Sequence, residues 1–316
     1  MTNWSETAFV FPGQGSQAAG MGRDVADAFP VARETFAEAD ELLGFDLSNL
    51  CFNGSEDALA QTDVTQPALY VTSMAILRAL QDAAPGAKPA YGAGHSLGEI
   101  TALAAAGALT FADGARLVRE RGRLMRAAGE TAPGAMAALL GLDAPAVREV
   151  CAAVSAETGG VLVLANDNCP GQIVISGDVA AVDAGIVRAK EAGARRAVKL
   201  AVSIASHSPL MSEASRSFAE ALATTPFTDP AYPVYANVTA APVGDPAAIR
   251  EELTVQLTRS VRWTESVQAM VEAGARTFVE IGSKDVLTNL LKRIDSTVTG
   301  VNLSTADALT AFVNSN

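Results

Sequence analysis

Gly94-His95-Ser96-Leu97-Gly98 is the stretch from which the rest of the chain is read. It is a G-x-S-x-G pentapeptide, the pattern of a strand that turns sharply into a helix with a serine hydroxyl at the apex. Glycines two residues either side of Ser96 remove the Cβ atoms that would clash in so tight a bend. The backbone N–H of Leu97 then falls at a helix N-terminus, where it can meet an oxyanion and the dipole favours negative charge. A second reading also fits: a Gly-rich turn with an incidental serine. The flanks bear on the choice unequally. Residues 97–109, rich in Ala and Leu, predict a buried helix. Residues 90–93, Ala-Tyr-Gly-Ala, are short of β-branched residues and make a poor strand.

The 316-residue chain is long enough to bury a large core in one domain or two. With 49% hydrophobic and 18% charged residues it has an ordinary globular composition. A net charge of −12 argues against a nucleic-acid binder, which needs a basic patch. The three cysteines, Cys51, Cys151 and Cys169, are odd in number and lack metal-ligand spacing, as expected of a reduced, cytoplasmic protein with no metal. No basic segment followed by an apolar one marks a secretion signal at the N-terminus. No apolar run reaches the length of a membrane span.

Residues 7–11, Thr-Ala-Phe-Val-Phe, predict a buried strand stopped by Pro12-Gly13. In the loop that follows, two glycines flank Gln14 and let backbone and amide approach something closely. Helices are expected over 25–43 and 67–81, the latter with Pro67 near its first turn. Outside the middle of the chain, strands near 232–239, 277–282 and 297–301 alternate with helices near 246–257, 263–273 and 286–293. That alternation predicts an α/β fold with a parallel sheet. Residues 132–202 have a different order. Strand 134–142, helix 144–156, strands 160–165 and 172–176, helix 178–192 and strand 195–202 form a β-α-β-β-α-β series, the ferredoxin-like split unit. About 70 residues are thus read as an inserted small domain, with a turn-rich loop at 166–171 over the cleft.

Only two histidines are present. His95 adjoins Ser96, and neighbouring side chains diverge at a sharp turn, so His207 is the one free to act as general base for Ser96. The expected helix 112–128 carries Arg116, Arg119, Arg121, Arg123 and Arg126. These point several ways, so most belong in solvent and one is free to face a cleft. Arg121, with Gly122 opening space beside it, is the candidate.

Further matches run along nearly the whole chain: Phe11-Pro12-Gly13-Gln14-Gly15-Ser16-Gln17, Gly94 through Glu99, Arg121-Gly122-Arg123-Leu124-Met125, Asn166 with Pro170-Gly171-Gln172, Ser206-His207-Ser208, and Glu280-Ile281-Gly282 with Val286-Leu287. In this order and spacing the chain resembles the malonyl-CoA:acyl-carrier-protein transacylases, acyltransferases of fatty-acid and polyketide synthesis. The resemblance implies that Ser96 is the acylated nucleophile and His207 its base. His207 is oriented by the backbone carbonyl of Gln256 in place of an aspartate. The N–H groups of Gln14 and Leu97 form the oxyanion hole, and Arg121 grips the free carboxylate of the acyl group. Asn166 and Ser206 line the substrate pocket. The implied substrate is malonyl-CoA and the implied partner acyl carrier protein, with no cofactor. The implied architecture is an α/β-hydrolase-like large domain, residues 1–131 and 203–316, with a ferredoxin-like small domain, 132–202.

Two residues depart from patterns seen within the resemblance. Ser206 stands before His207 where malonyl-specific domains commonly carry Phe, leaving room for a 2-methyl group; one methyl is worth about 1–3 kcal/mol of discrimination. Against methylmalonyl selection, Leu97 follows the nucleophile where such domains carry Gln. Two rivals stay open: an esterase or thioesterase of the same elbow chemistry, and a non-catalytic docking subunit. A cleft arginine argues against the first and the intact residue set against the second.

Overall fold

Five parallel strands form the spine of the computed structural model, in which residues 2–315 are described. Strand β1 (Thr7–Phe11) is at the centre, between β2 (Tyr91–Gly94) and β9 (Thr277–Ile281). The remaining strands are β3 (Gly134–Leu140), β4 (Leu162–Cys169), β5 (Gln172–Asp178), β6 (Arg196–Lys199), β7 (Val234–Tyr235), β8 (Pro242–Val243) and β10 (Thr299–Leu303). The larger sheet has the order β10-β9-β1-β2-β7-β8, with only β8 antiparallel to its neighbour. All five residues of β1 are buried. Phe9 and Phe11 enter one apolar cluster and Ala8 and Val10 another. The alternation follows from the strand period of two, and a sheet covered on both faces needs the continuous apolar run that β1 supplies.

The second sheet is antiparallel, in the order β4-β5-β3-β6. Its helices, Ala144–Thr158 and Val179–Glu191, cover one face and share a separate core with Ala137, Leu139, Leu164 and Ile175. Asp143 caps the first of these helices by accepting from the Ala146 N–H. The other face carries Met136, Ala165 and Val174. Strand β4 also ties to the segment before helix Trp263–Glu272: Asp167 N–H donates to the Val261 carbonyl at 2.9 Å, and Val261 N–H donates to the Ala165 carbonyl at 2.8 Å.

Several elements differ from the sequence expectation. The poor strand before the elbow is a real one, β2, hydrogen-bonded on both sides. Its small residues reflect space: a Cβ on Gly92 would come 2.8 Å from the Tyr232 ring. The single helix expected over 25–43 is two, Arg23–Ala28 and Pro30–Leu43, broken at Phe29 with φ −122° and ψ 113°. Proline disfavours helical dihedrals in the residue before it. Helix Thr62–Ala83 starts upstream of Pro67, which sits inside it. The elbow helix ends at Ala105, short of 109; the N–H groups of Gly107 and Ala108 turn back to the carbonyls of Ala104 and Leu103. The loop expected at 166–171 is mostly strand, because β4 continues to Cys169 through two register shifts. A further helix, Ala306–Asn314, follows the last strand. Among the described residues no helix is long and apolar enough to cross a membrane.

Candidate active site

The site lies beyond the carboxyl ends of β1 and β2, where crevices open in parallel α/β sheets. Between β2 and helix Leu97–Ala105 the chain turns at Ser96 with φ 53° and ψ −108°. A non-glycine residue held there costs about 1–3 kcal/mol and needs surrounding structure to impose it. Close packing imposes it here: a Cβ on Gly94 would be 1.8 Å from the Gly98 carbonyl oxygen, and one on Gly98 would be 2.1 Å from that of Phe11. Two side chains complete the hold. The Ser96 N–H donates to Asn237 Oδ1 at 2.7 Å, and its carbonyl accepts from Gln256 Nε2 at 3.0 Å.

His207 is buried, and its Nε2 stands 2.8 Å from Ser96 Oγ. Its Nδ1 is 2.9 Å from the Gln256 carbonyl and 3.2 Å from that of Arg259. Both are acceptors, so the ring proton belongs on Nδ1 and Nε2 is left as the acceptor facing the hydroxyl. Burial, with the Arg121 cation beside it, lowers the His207 pKa to about 3, against a smaller upward pull from the Gln256 carbonyl. The imidazole is therefore neutral at ordinary pH and able to take a proton. His207, like Ser96, has positive φ, 59°.

Arg121 is 0% exposed on helix Phe111–Thr131. Its Nη2 donates to Ser96 Oγ at 3.1 Å and to Gln256 Oε1 at 2.8 Å; its Nη1 donates to Gln66 Oε1 at 3.0 Å. Its Nε is buried with no hydrogen-bond partner. Among the described residues it makes no ion pair, while Arg116, Arg123 and Arg126 on the same helix pair with Asp113, Glu120, Asp63 and Glu130 at the surface. Arg119 lies over the Phe45 ring. Burial lowers the Arg121 pKa to about 10, leaving it cationic at neutral pH.

A cavity of about 380 Å³ opens onto these groups, within the range of small-molecule sites. Gln14, His95, Ser96, Leu97, Arg121, Ser206 and His207 line one side; Met136, Ala138, Asn166, Asn168 and Val174 line the other. Asn166 owes its place to the first register shift in β4. Leu164 pairs with Ile175 on the helix-covered face, and Asn166 with Val174 on the cavity face, so Ala165 is the extra residue. A bulge of this kind re-aims the side chains that follow it. Asn168 reaches across the cavity, its Oδ1 2.8 Å from His95 Nε2. Every candidate from the sequence thus lies around one cavity except Gln256, which sits behind it and presents a carbonyl to His207.

Sequence reasoning missed Gln66, Asn168, Asn237 and the side chain of Gln256. Gln66 had the weak signal of adjoining Pro67. Asn237 had none, since a turn asparagine after a strand is commonplace.

A serine at a strand-turn-helix apex, a neutral histidine beside it and a buried arginine with no ion pair among the described residues surround one cavity, an arrangement suited to acyl transfer. The chain belongs to the acyl transferase domain family, whose match spans residues 8–306. It is 45% identical over 291 residues, 92% of this chain and 91% of the relative, to the malonyl CoA-acyl carrier protein transacylase of Bacillus subtilis. The crystal structure of malonyl-CoA:acyl carrier protein transacylase from Xanthomonas oryzae superposes with a TM-score of 0.94 at 47% identity, covering 100% of this chain and 99% of that one. A malonyl-transacylase solved in complex with a holo type II polyketide synthase acyl-carrier protein gives 0.94 at 43% identity, covering 98% and 100%.

Proposed function

We propose that this protein transfers the malonyl group of malonyl-CoA to the phosphopantetheine thiol of acyl carrier protein through a malonyl-serine ester. Ser96 Oγ attacks the thioester carbonyl while His207 Nε2 takes its proton. The N–H groups of Gln14 and Leu97 receive the oxyanion, each such donor being worth about 3 kcal/mol. Collapse expels the CoA thiolate, which takes the proton from His207. The pantetheine thiol then attacks the ester with His207 again as base, and the step runs in reverse.

One observation carries the choice of malonyl: a fully buried guanidinium, unpaired by any carboxylate among the described residues, lies 3.1 Å from the Ser96 hydroxyl with its Nε unsatisfied. A carboxylate on the acyl group satisfies it, with a planar fork suited to bidentate pairing. An acetyl group leaves the buried donor unmet, at a cost of about 1–3 kcal/mol. A simple esterase has no use for that arrangement. Asn166 and Ser206 contact the substrate from the two sides of the cavity.

The parallel order of the larger sheet and the strand-turn-helix at Ser96 support an α/β-hydrolase-like large domain, 1–131 with 203–316. The β4-β5-β3-β6 order and separate core support a ferredoxin-like small domain, 132–202. The test is intact-protein mass spectrometry after incubation with malonyl-CoA, followed by addition of holo acyl carrier protein. A malonyl adduct on Ser96 that moves to the carrier is expected. Rapid release of free malonate without transfer would identify a hydrolase instead.

A further inference from the structure

Behind the elbow, outside the cavity, lies a carboxyl that the reaction does not touch. Glu99 is 0% exposed in the first turn of helix Leu97–Ala105. Its Oε2 accepts from Gln256 Nε2 at 2.7 Å and from the Asn237 N–H at 3.2 Å. Those two residues also hold Ser96, one at its carbonyl and one at its N–H. The same Gln256 offers Oε1 to Arg121 and its backbone carbonyl to His207.

We propose that Glu99 is a positioning residue that orients the Gln256 side-chain amide and, through it, the Arg121 guanidinium relative to Ser96. An amide has one donating and one accepting end. Glu99 Oε2 and the Ser96 carbonyl only accept, so between them they claim Nε2. That leaves Oε1 for Arg121, which only donates. Removing Glu99 removes one of the two acceptors and leaves the Ser96 carbonyl alone to hold the donor end of the amide, which is then less firmly placed against the cation. The guanidinium then loses an anchor and its alignment with the incoming carboxylate. Burial, with the Glu252 carboxyl nearby, raises the Glu99 pKa well above the usual carboxylate range. Gln keeps an acceptor oxygen and the side-chain shape at this position and is the closest replacement.

This inference rests on the malonyl-transfer reading, and its test separates the two. The initial rates of malonyl- and acetyl-serine formation on Ser96 are measured by quenched-flow and intact mass. In E99A the malonyl/acetyl ratio should fall about tenfold, the scale of one hydrogen bond to a charged group. E99Q should restore the ratio to within about twofold of wild type, since it keeps the acceptor. Q256M keeps the backbone carbonyl for His207 and the side-chain volume; it should show the same fall as E99A, and it decides the matter if E99A does not fold. An unchanged ratio in E99A or Q256M overturns the role of Glu99. A loss in E99Q equal to that in E99A also overturns it, by pointing to charge alone. A wild-type protein that takes no malonyl adduct overturns the functional reading itself.

Discussion

On the side of the cavity built by the parallel sheet, each group proposed to react or to bind the acyl carboxylate is held from more than one direction. Ser96 is tied at its N–H by Asn237 and at its carbonyl by Gln256; His207 by two carbonyls; Arg121 by Gln66 and Gln256. On the side built by the antiparallel sheet, Met136, Ala138 and Val174 present apolar surface, and Asn168 reaches across to His95. The first side stores strain, at Ser96 and His207, and surrounds it with hydrogen bonds. No non-glycine residue lining the second has positive φ. Groups that must meet a transition state in fixed geometry cannot relax when it forms. Apart from Asn166 and Asn168, the facing wall excludes water and fills space, for which a few apolar side chains suffice. The contrast teaches that the two sheets divide the labour of the site.

The division has measurable consequences, greatest at the strained pair. S96A should abolish the malonyl adduct, and H207A should slow its formation by about 10²-fold or more, as loss of a general base does. Near-normal acylation in H207A would assign the base elsewhere. R121A should lower malonyl transfer by about 10²-fold, the scale of a lost charge-assisted pair, and raise acetyl transfer relative to it. An unchanged malonyl/acetyl preference, measured with both CoA esters, would remove Arg121 from recognition.

The pH profile tests the electrostatics of the same side. With its folded pKa near 3, His207 stays unprotonated well below its ordinary value of 6.5. The acylation kcat/KM should therefore stay level from pH 8 to pH 5, whereas an unperturbed histidine would lose about 30-fold at the lower end. A fall centred near pH 6.5 would show that the imidazole is not so held. The same shift bears on stability. The unfolded chain protonates this histidine near pH 6.5 and the folded one does not, so folding weakens as pH falls from 6.5 toward 3. On the antiparallel side the effects should be slight. N168A should change transfer by about threefold or less, since it removes one neutral hydrogen bond. A loss as large as that of R121A would mean that both sides hold the reacting groups.

Much of this was legible before any coordinates. Thr7–Phe11 reads as a buried strand because its residues are apolar on both faces, and it is the central one. The β-α-β-β-α-β series is readable because apolar runs with strand and helix periods alternate along 132–202. His207 was reachable by elimination among two histidines. Other features were not legible. Five arginines share one helix; Gly122 and the resemblance pointed to Arg121, but its complete burial depends on what packs over it. The strand β2 looked poor because its glycines make room for neighbours, Gly98 in the turn that follows and Tyr232 far along the chain. The bulge that turns Asn166 inward leaves no local mark.

By itself the amino-acid order determined the elements, the elbow and the residue types able to do acyl chemistry. Sterics and hydrogen bonding over a few residues decide such features. Only the tertiary structure decided that Asn237 and Gln256, 141 and 160 residues from Ser96, meet at its backbone, and that Arg121, of the five arginines on its helix, is the one that loses water. Those are outcomes of long-range packing, where burial sets which polar groups must find one another.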